Sequence, residues 1–202
     1  MESELIAKLI VISGPSGAGK GTLIKSVLPS LDNFVVSVSA TTRGRRAGER
    51  QGVDYHFLSR REFLRKVEEG LFLEWAEYGG NLYGTPRDFV DAALSTGKDV
   101  LLEIELEGAR QIVEHCPVAV GIFIAPPDLQ ILEGRLRDRK TDSEADITLR
   151  LARACDELEA VERDRAEGGL CFDYAIVNDD LEQASRELLT TIQQIRAGNT
   201  AR

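Results

Sequence analysis

Gly14-Pro15-Ser16-Gly17-Ala18-Gly19-Lys20 places three glycines, a hydroxyl and a lysine in one short run. The apolar stretch Leu9-Ile10-Val11-Ile12 precedes it, and Gly21-Thr22-Leu23-Ile24-Lys25-Ser26-Val27-Leu28 reads as a helix ending near Pro29. Strand, glycine-rich loop and helix together are the setting of a phosphate-binding loop. A helix N-terminus leaves backbone N–H groups unpaired and carries partial positive charge. Glycines allow those amides to close on phosphate oxygens. Lys20 adds a full charge within reach of the β and γ phosphates. The usual pattern has Ser or Thr directly after the lysine. Here Gly21 intervenes, so Thr22 is expected to meet a nucleotide-bound Mg2+ directly or through a water.

Three further groups of side chains can do chemistry. The first lies between Ser39 and Thr85. It begins with the basic run Thr41–Arg50, in which Arg43, Arg45, Arg46 and Arg50 stand against Glu49, a local charge of +3. Ser39, Tyr55, Glu74, Tyr83 and Thr85 complete it. Taken singly, an arginine-rich turn is a solvated face and the tyrosines are packing residues. The second is the pair Glu103 and Glu105, two apart on an expected strand end and so pointing the same way. Glu107 reads as a first-turn acid that offsets a helix dipole. The third is Arg135 and Arg139, four apart on one helix face, with Arg150 on the next helix. Arg137 faces elsewhere. The bland alternative for this group is a surface helix with ion pairs to Glu133 and Asp138.

The elements that must position these residues alternate in type. Strands are expected at Lys8–Ser13, Phe34–Ser39, Asp54–Leu58, Leu71–Tyr78, Val100–Glu105, Val118–Ile124 and Asp173–Asn178. Ser59-Arg60-Arg61-Glu62 is a capping box opening a helix that Gly70 ends. Gly79-Gly80-Asn81 signals a turn, and Thr85-Pro86 reads as an N-cap followed by proline at the first helical position. Helices are expected over Glu107–His115, Asp128–Arg139 and Leu181–Arg196, with another capped by Ser143 and running to about Arg163. In that last helix Ile147, Leu151, Ala154, Leu158 and Val161 share one face. Buried strands alternating with helices predict an α/β fold, a parallel sheet covered on both sides. The Ser39–Thr85 region breaks the rhythm and is expected to be an inserted lobe. A smaller insertion is expected around Arg135–Arg150.

The chain has 202 residues, 43% of them hydrophobic, which suits one compact domain with inserted lobes. Its net charge of −9 argues against non-specific nucleic-acid binding and leaves anionic substrates to local basic clusters. Cys116, Cys155 and Cys171 lack metal-ligand spacing and read as buried free thiols in a reducing cytosol. His56 and His115 make no metal cluster. The N-terminal apolar run is too short for a signal peptide or membrane span, so a cytoplasmic protein without a membrane partner is expected.

Five segments together resemble the guanylate kinase family of P-loop nucleoside monophosphate kinases: GPSGAGKGTL (14–23), SVSATTRGRRAGERQGVDYHF (37–57), FLEWAEYGGNLYGTP (72–86), FIAPP (123–127) and IVNDD (176–180). The resemblance runs from Val11 to about Leu189. It implies a P-loop NTPase-type core from residues 1–38, 88–131 and 154–202, a GMP-binding lobe of short strands and a helix at 39–87, and an arginine-bearing lid at 132–153. It implies ATP-dependent phosphorylation of GMP, and of dGMP, to the diphosphate, with Mg2+, by a monomer or homodimer. Arg43, Arg46, Tyr55 and Tyr83 match the positions that hold the GMP phosphate. Glu74 matches the carboxylate that accepts from guanine N1–H and N2–H, and Ser39 and Thr85 match the hydroxyls for O6. Arg135, Arg139 and Arg150 match the lid arginines over the ATP phosphates, and Asn178 a position near adenine. The family commonly has Asp at the position of Glu105, so Glu105 is expected either to touch guanine or to act through water or Mg2+. Two other readings share parts of the pattern. A non-catalytic module of this fold typically has an eroded P-loop, whereas Gly14, Gly19 and Lys20 are intact. A kinase for a phosphorylated sugar has no use for Ser39, Glu74 and Thr85 together.

Overall fold

The protein is described from a computed structural model covering residues 7–116, 118–138, 143–167 and 172–198. In chain order the strands are β1 (Leu9–Ser13), β2 (Phe34–Val36), β3 (Ala40–Thr41), β4 (His56–Phe57), β5 (Phe72–Tyr78), β6 (Asn81–Pro86), β7 (Asp99–Glu103), β8 (Val120–Ala125) and β9 (Tyr174–Val177). The helices are α1 (Lys20–Val27), α2 (Arg60–Glu68), α3 (Arg87–Ser95), α4 (Leu106–His115), α5 (Leu129–Asp138), α6 (Glu144–Ala166) and α7 (Leu181–Arg196).

β1 is apolar without alternation because both of its faces are covered. Ile10 and Ile12 pack with Leu23, Ile24 and Val27 of α1 and with Leu188, Ile192 and Ile195 of α7. Leu9 and Val11 point the other way and join Val90 and Ala93 of α3 and Ala109 and Ile112 of α4. The five-stranded sheet has the order β2-β7-β1-β8-β9 with every pairing parallel. β1 therefore sits between two strands remote from it in sequence. Chains leaving the C-terminal ends of such strands diverge to opposite faces and open a crevice there, and ligands bind in it. The P-loop fills the crevice mouth.

A second sheet, in the order β4-β3-β6-β5, stands over that edge. Its own small core is Ala40, Phe63, Phe72 and Leu82, with the rings of Phe63 and Phe72 stacked at 4.4 Å between centroids. Ser59 and Glu62 close the expected capping box on α2. A separate apolar cluster of Leu132, Leu136, Ile147 and Ala154 joins α5 to α6. α6 starts at the expected Ser143 cap, which forms its box with Asp146.

The structure departs from the sequence expectations where long-range pairing outweighs local signals. The helix expected to open at Thr85-Pro86 opens one residue later, with Pro86 rather than Thr85 at its N-cap. Both lie on β6, where Thr85 is paired with Glu74 and Pro86 with Phe72, and α3 begins at Arg87. Neighbouring strands and a buried acid claim the threonine that was expected as a cap. β3 and β6 are strands that the polar, glycine-punctuated sequence hides: β6 folds back on β5 across the Gly79-Gly80 turn, and β3 pairs with it from a distant segment (Ala40 with Gly84). β2 stops at Val36. β7 stops at Glu103, so Glu105 is not on the strand with it. Glu105 occupies the N-cap position of α4 instead. Cys116 and Cys155 are free and half-buried rather than fully buried, and Cys171 lies outside the described residues.

Candidate active site

The P-loop is held by contacts from three directions. Gly14 (φ 145) passes so close to β8 that a Cβ there would collide with the carbonyl oxygen of Ile124. Lys20, the first residue of α1, is only 7% exposed. Its Nζ donates to the carbonyl oxygens of Gly14 and Pro15 and lies 3.8 Å from Glu105 Oε1. Asn178 is buried at the end of β9, and its Nδ2 donates to Ala18 O at 2.7 Å. Its amide fills the space a side chain at Gly19 would need. Asn178 thus braces the loop from below. Arg135 Nη2 donates to the main-chain oxygen of Asn178 at 2.8 Å, and Arg150 Nη1 donates to Ser16 Oγ at 2.7 Å. Arg150 of α6 thus touches the loop itself, and Arg135 of α5 touches the segment that braces it.

The facing wall belongs to the second sheet. Glu74 is 5% exposed, and the wholly buried Thr85 hydroxyl donates to its Oε1 at 2.6 Å. Burial pushes the Glu74 carboxyl up to about 7, although the Thr85 bond opposes the shift. Its Oε2 occupies the space where a side chain on Gly108 of α4 would begin. Glu49 takes both ends of the Arg43 guanidinium, accepting from Nη2 at 2.7 Å and from Nη1 at 3.1 Å. Glu49 Oε2 also accepts from the Arg46 backbone N–H at 2.7 Å. That hydrogen bond with Arg43 is the main reason the Glu49 carboxyl lies below the usual range. Arg43 also lies over the rings of Tyr55 and Phe57, at 5.4 and 5.8 Å. Burial, then the charge of Glu103, raises the Tyr55 phenol to about 12, so it stays a hydrogen-bond donor at neutral pH.

One cavity of about 580 Å³ joins the two walls. Pro15, Ser16, Gly17, Gly19, Lys20, Gly21, Thr22 and Arg150 line it on the loop side, with Glu105 beside Lys20. Ser39, Arg43, Arg46, Tyr55, Glu74 and Tyr83 line it on the other. Gly14, Ala18, Arg135 and Asn178 stand behind the loop wall and Thr85 behind the facing one, as supports, and Arg139 lies outside the described residues. Arg137 faces away as expected and pairs with Glu133 and Glu144. Glu49, Tyr78, Gly108 and Arg153 also line the cavity, with no role that residue type and spacing assign to them. Glu49 carried one signal, an opposite charge six residues from Arg43. The rest are near the site only through the fold.

Thr22 and Glu103 supply hard oxygen donors at the cavity wall, with the Glu103 carboxylate 3.2–3.3 Å from where a side chain on Gly21 would begin. Such donors beside a phosphate loop suit Mg2+, which keeps several waters and takes few protein ligands.

A lysine-bearing loop at the end of the central parallel strand, facing a separate basic and aromatic wall, is the architecture of a P-loop kinase with distinct donor and acceptor sites. Comparison with known proteins agrees. The guanylate kinase family profile matches residues 6–195. The guanylate kinase of Synechococcus sp. (strain JA-3-3Ab) is 52% identical over 90% of this chain and 80% of its own. That of Rubrobacter xylanophilus is 50% identical over 95% and 96%. The crystal structure of guanylate kinase from Anaplasma phagocytophilum superposes with a TM-score of 0.76 at 33% identity, covering 95% of this chain and 87% of that one. The chain belongs to the guanylate kinase family.

Proposed function

We propose that this chain transfers the γ-phosphoryl group of ATP to GMP, and to dGMP, giving ADP and the diphosphate by direct in-line displacement. One observation carries the reading: the buried acceptor Glu74 and the phosphate-loop Lys20 line opposite walls of one cavity. Guanine offers two adjacent donors, N1–H and N2–H, which a carboxylate accepts as a pair. Adenine would leave the buried carboxyl unmatched, a penalty that can reach roughly 10⁴-fold. Ser39 faces the same cavity and supplies a hydroxyl for O6. Thr85 acts from behind by holding Glu74.

The acceptor phosphate is assigned to Arg43, Arg46, Tyr55 and Tyr83. Glu49 holds Arg43 end-on, which fixes the plane of its guanidinium before the substrate arrives. On the donor side, Lys20 and the amides of Gly14–Thr22 cradle the phosphates. Arg139 and Arg150 are assigned to the equatorial oxygens of the transferring group, and Arg135 acts from behind by holding the main chain at Asn178. The acceptor oxygen is already anionic, so no general base is required, and the residues contribute position and charge. Thr22, directly or through water, and Glu103 would hold Mg2+, which when bound neutralises charge on the β and γ oxygens. Glu105, beside Lys20, is assigned to orienting that lysine.

This division makes residues 39–87 the acceptor lobe, 132–153 the lid and the remainder the core. Separate apolar clusters in the second sheet and between α5 and α6 support it. No helix among the described residues is long and apolar enough to cross a membrane. Free Cys116 and Cys155 support a reducing compartment such as the cytosol. The test is release of ADP with GMP, dGMP, AMP and UMP offered in turn and Lys20→Ala as control. GMP and dGMP should turn over, and equal turnover with AMP would refute the guanine assignment.

A further inference from the structure

Helix α6 touches both walls of the cavity through residues one turn apart. Arg150 reaches Ser16 of the P-loop. Arg153 reaches the opposite way, and its guanidinium carbon lies 4.7 Å from the centre of the Tyr78 ring. Its Nη1 extends to the hairpin tip, 3.6 Å from where a side chain on Gly79 would begin. Tyr78 ends β5, the strand that carries Glu74. Glu74, Ala76 and Tyr78 alternate onto one face of that strand, and all three line the cavity. A cation over an aromatic face is held by the ring quadrupole, more firmly when partly shielded from water.

The surroundings match a fixed cation at this point. Burial, then the charges of Glu105 and Glu157, raises the Tyr78 phenol to about 12, while Arg150 and Arg153 oppose them. Burial and Glu105 likewise raise Glu157 to about 7, opposed by Lys20 and Arg153. Arg153 therefore stands where acidic groups of α4 and α6 meet the ring of β5. The two parts it joins have separate apolar cores.

We infer that Arg153 is a positioning residue whose contact with Tyr78 couples the acceptor site to the donor site. The contact ties the strand bearing Glu74 to the helix bearing Arg150. Each substrate is completed by the approach of the same two parts, so a ligand on either side favours the arrangement in which Arg153 meets Tyr78. The second ligand then has less ordering to supply. The inference rests on the reading of the two walls as GMP and ATP sites.

The test is the affinity for GMP, measured by calorimetry with and without a saturating non-hydrolysable ATP analogue and Mg2+. Six proteins suffice: the unaltered chain, Arg153→Ala, Arg153→Lys, Tyr78→Leu, Tyr78→Phe and the Arg153→Ala/Tyr78→Leu double variant. The unaltered chain should bind GMP about three- to tenfold tighter with the analogue, the range a partly shielded cation–π contact can supply. Arg153→Ala and Tyr78→Leu should each bring that ratio close to one, and the double variant should lose no more than either. Arg153→Lys and Tyr78→Phe, which keep a cation and a ring, should retain most of it. A ratio unchanged in Tyr78→Leu, or losses that add in the double variant, would overturn the coupling while leaving the substrate reading intact. No GMP binding by the unaltered chain would overturn both.

Discussion

The Thr85 hydroxyl donates to Glu74 Oε1 at 2.6 Å across the β5–β6 pair, with Thr85 wholly buried and Glu74 5% exposed to the cavity. Burial nevertheless dominates and leaves the carboxyl near neutrality. A hydrogen bond to the charged form lowers a carboxyl pKa, and desolvation raises it. Here desolvation wins until a ligand brings further donors.

A pH dependence follows. Glu74 must be ionised to accept both guanine donors, and its folded-state value of about 7 lies above the ordinary 4.5. In the GMP-free protein this group opposes folding increasingly as pH rises from the ordinary value to the folded one. GMP binding reverses that sign by favouring the ionised form. The KM for GMP should therefore rise about tenfold per pH unit below the folded value. A steady-state series from pH 5.5 to 8.5 should place the inflection near 7, above the region near 6 where a phosphomonoester itself titrates. Glu74→Gln should raise the GMP KM by roughly tenfold or more, flatten this inflection and spare the ATP KM.

Glu49 fixes Arg43 by a two-point contact in which both side chains are less than one-fifth exposed (15% and 19%). Glu49→Gln keeps the shape and removes the charge. The expected result is a roughly tenfold fall in kcat/KM for GMP with the ATP KM within about twofold. An increase in GMP affinity would mean that Glu49 competes with the substrate phosphate instead of orienting the arginine.

Gly108 owes its identity to Glu74. A methyl group there would overlap the Glu74 carboxyl, which would have to leave the position it takes against α4. Gly108→Ala should raise the GMP KM roughly tenfold and leave ATP binding alone. Equal effects on both substrates would show that the change is felt by α4 as a whole.

Asn178 holds Ala18 from beneath the loop. Asn178→Ala removes a buried hydrogen bond and opens space beside Gly19. The ATP KM should rise roughly tenfold, and the melting temperature should fall by about 2–4 °C for each kcal/mol lost in a domain of this size. A variant with unaltered ATP binding would return Asn178 to a purely structural part.

The core architecture was legible because its signals are local. Leu9–Ile12, Ser59–Glu62, Ser143 and the 181–196 helix carry their periodicities and caps within a few residues, and each forms as expected. β3 and β6 were not legible. Thr85-Pro86 has the composition of a helix start, and only the opposing strand makes it an edge of the site. Most assigned site residues do gather on the cavity wall, because the family's motifs encode them in order. The Arg153–Tyr78 contact joins distant segments, and no local spacing announces it.

What the sequence determined by itself was chemical type: a phosphate loop ending in Gly21-Thr22, an arginine-rich acceptor segment, one carboxylate fit for guanine, and a family. Those are properties of residue identity and short spacing. What the tertiary structure decided was which groups face the ligand and which stand behind. Thr85 and Asn178 became supports, Glu105 moved to Lys20, and Glu49 became the partner of Arg43. Burial and hydrogen-bond satisfaction depend on atoms brought together from distant segments, so only the folded chain assigns them.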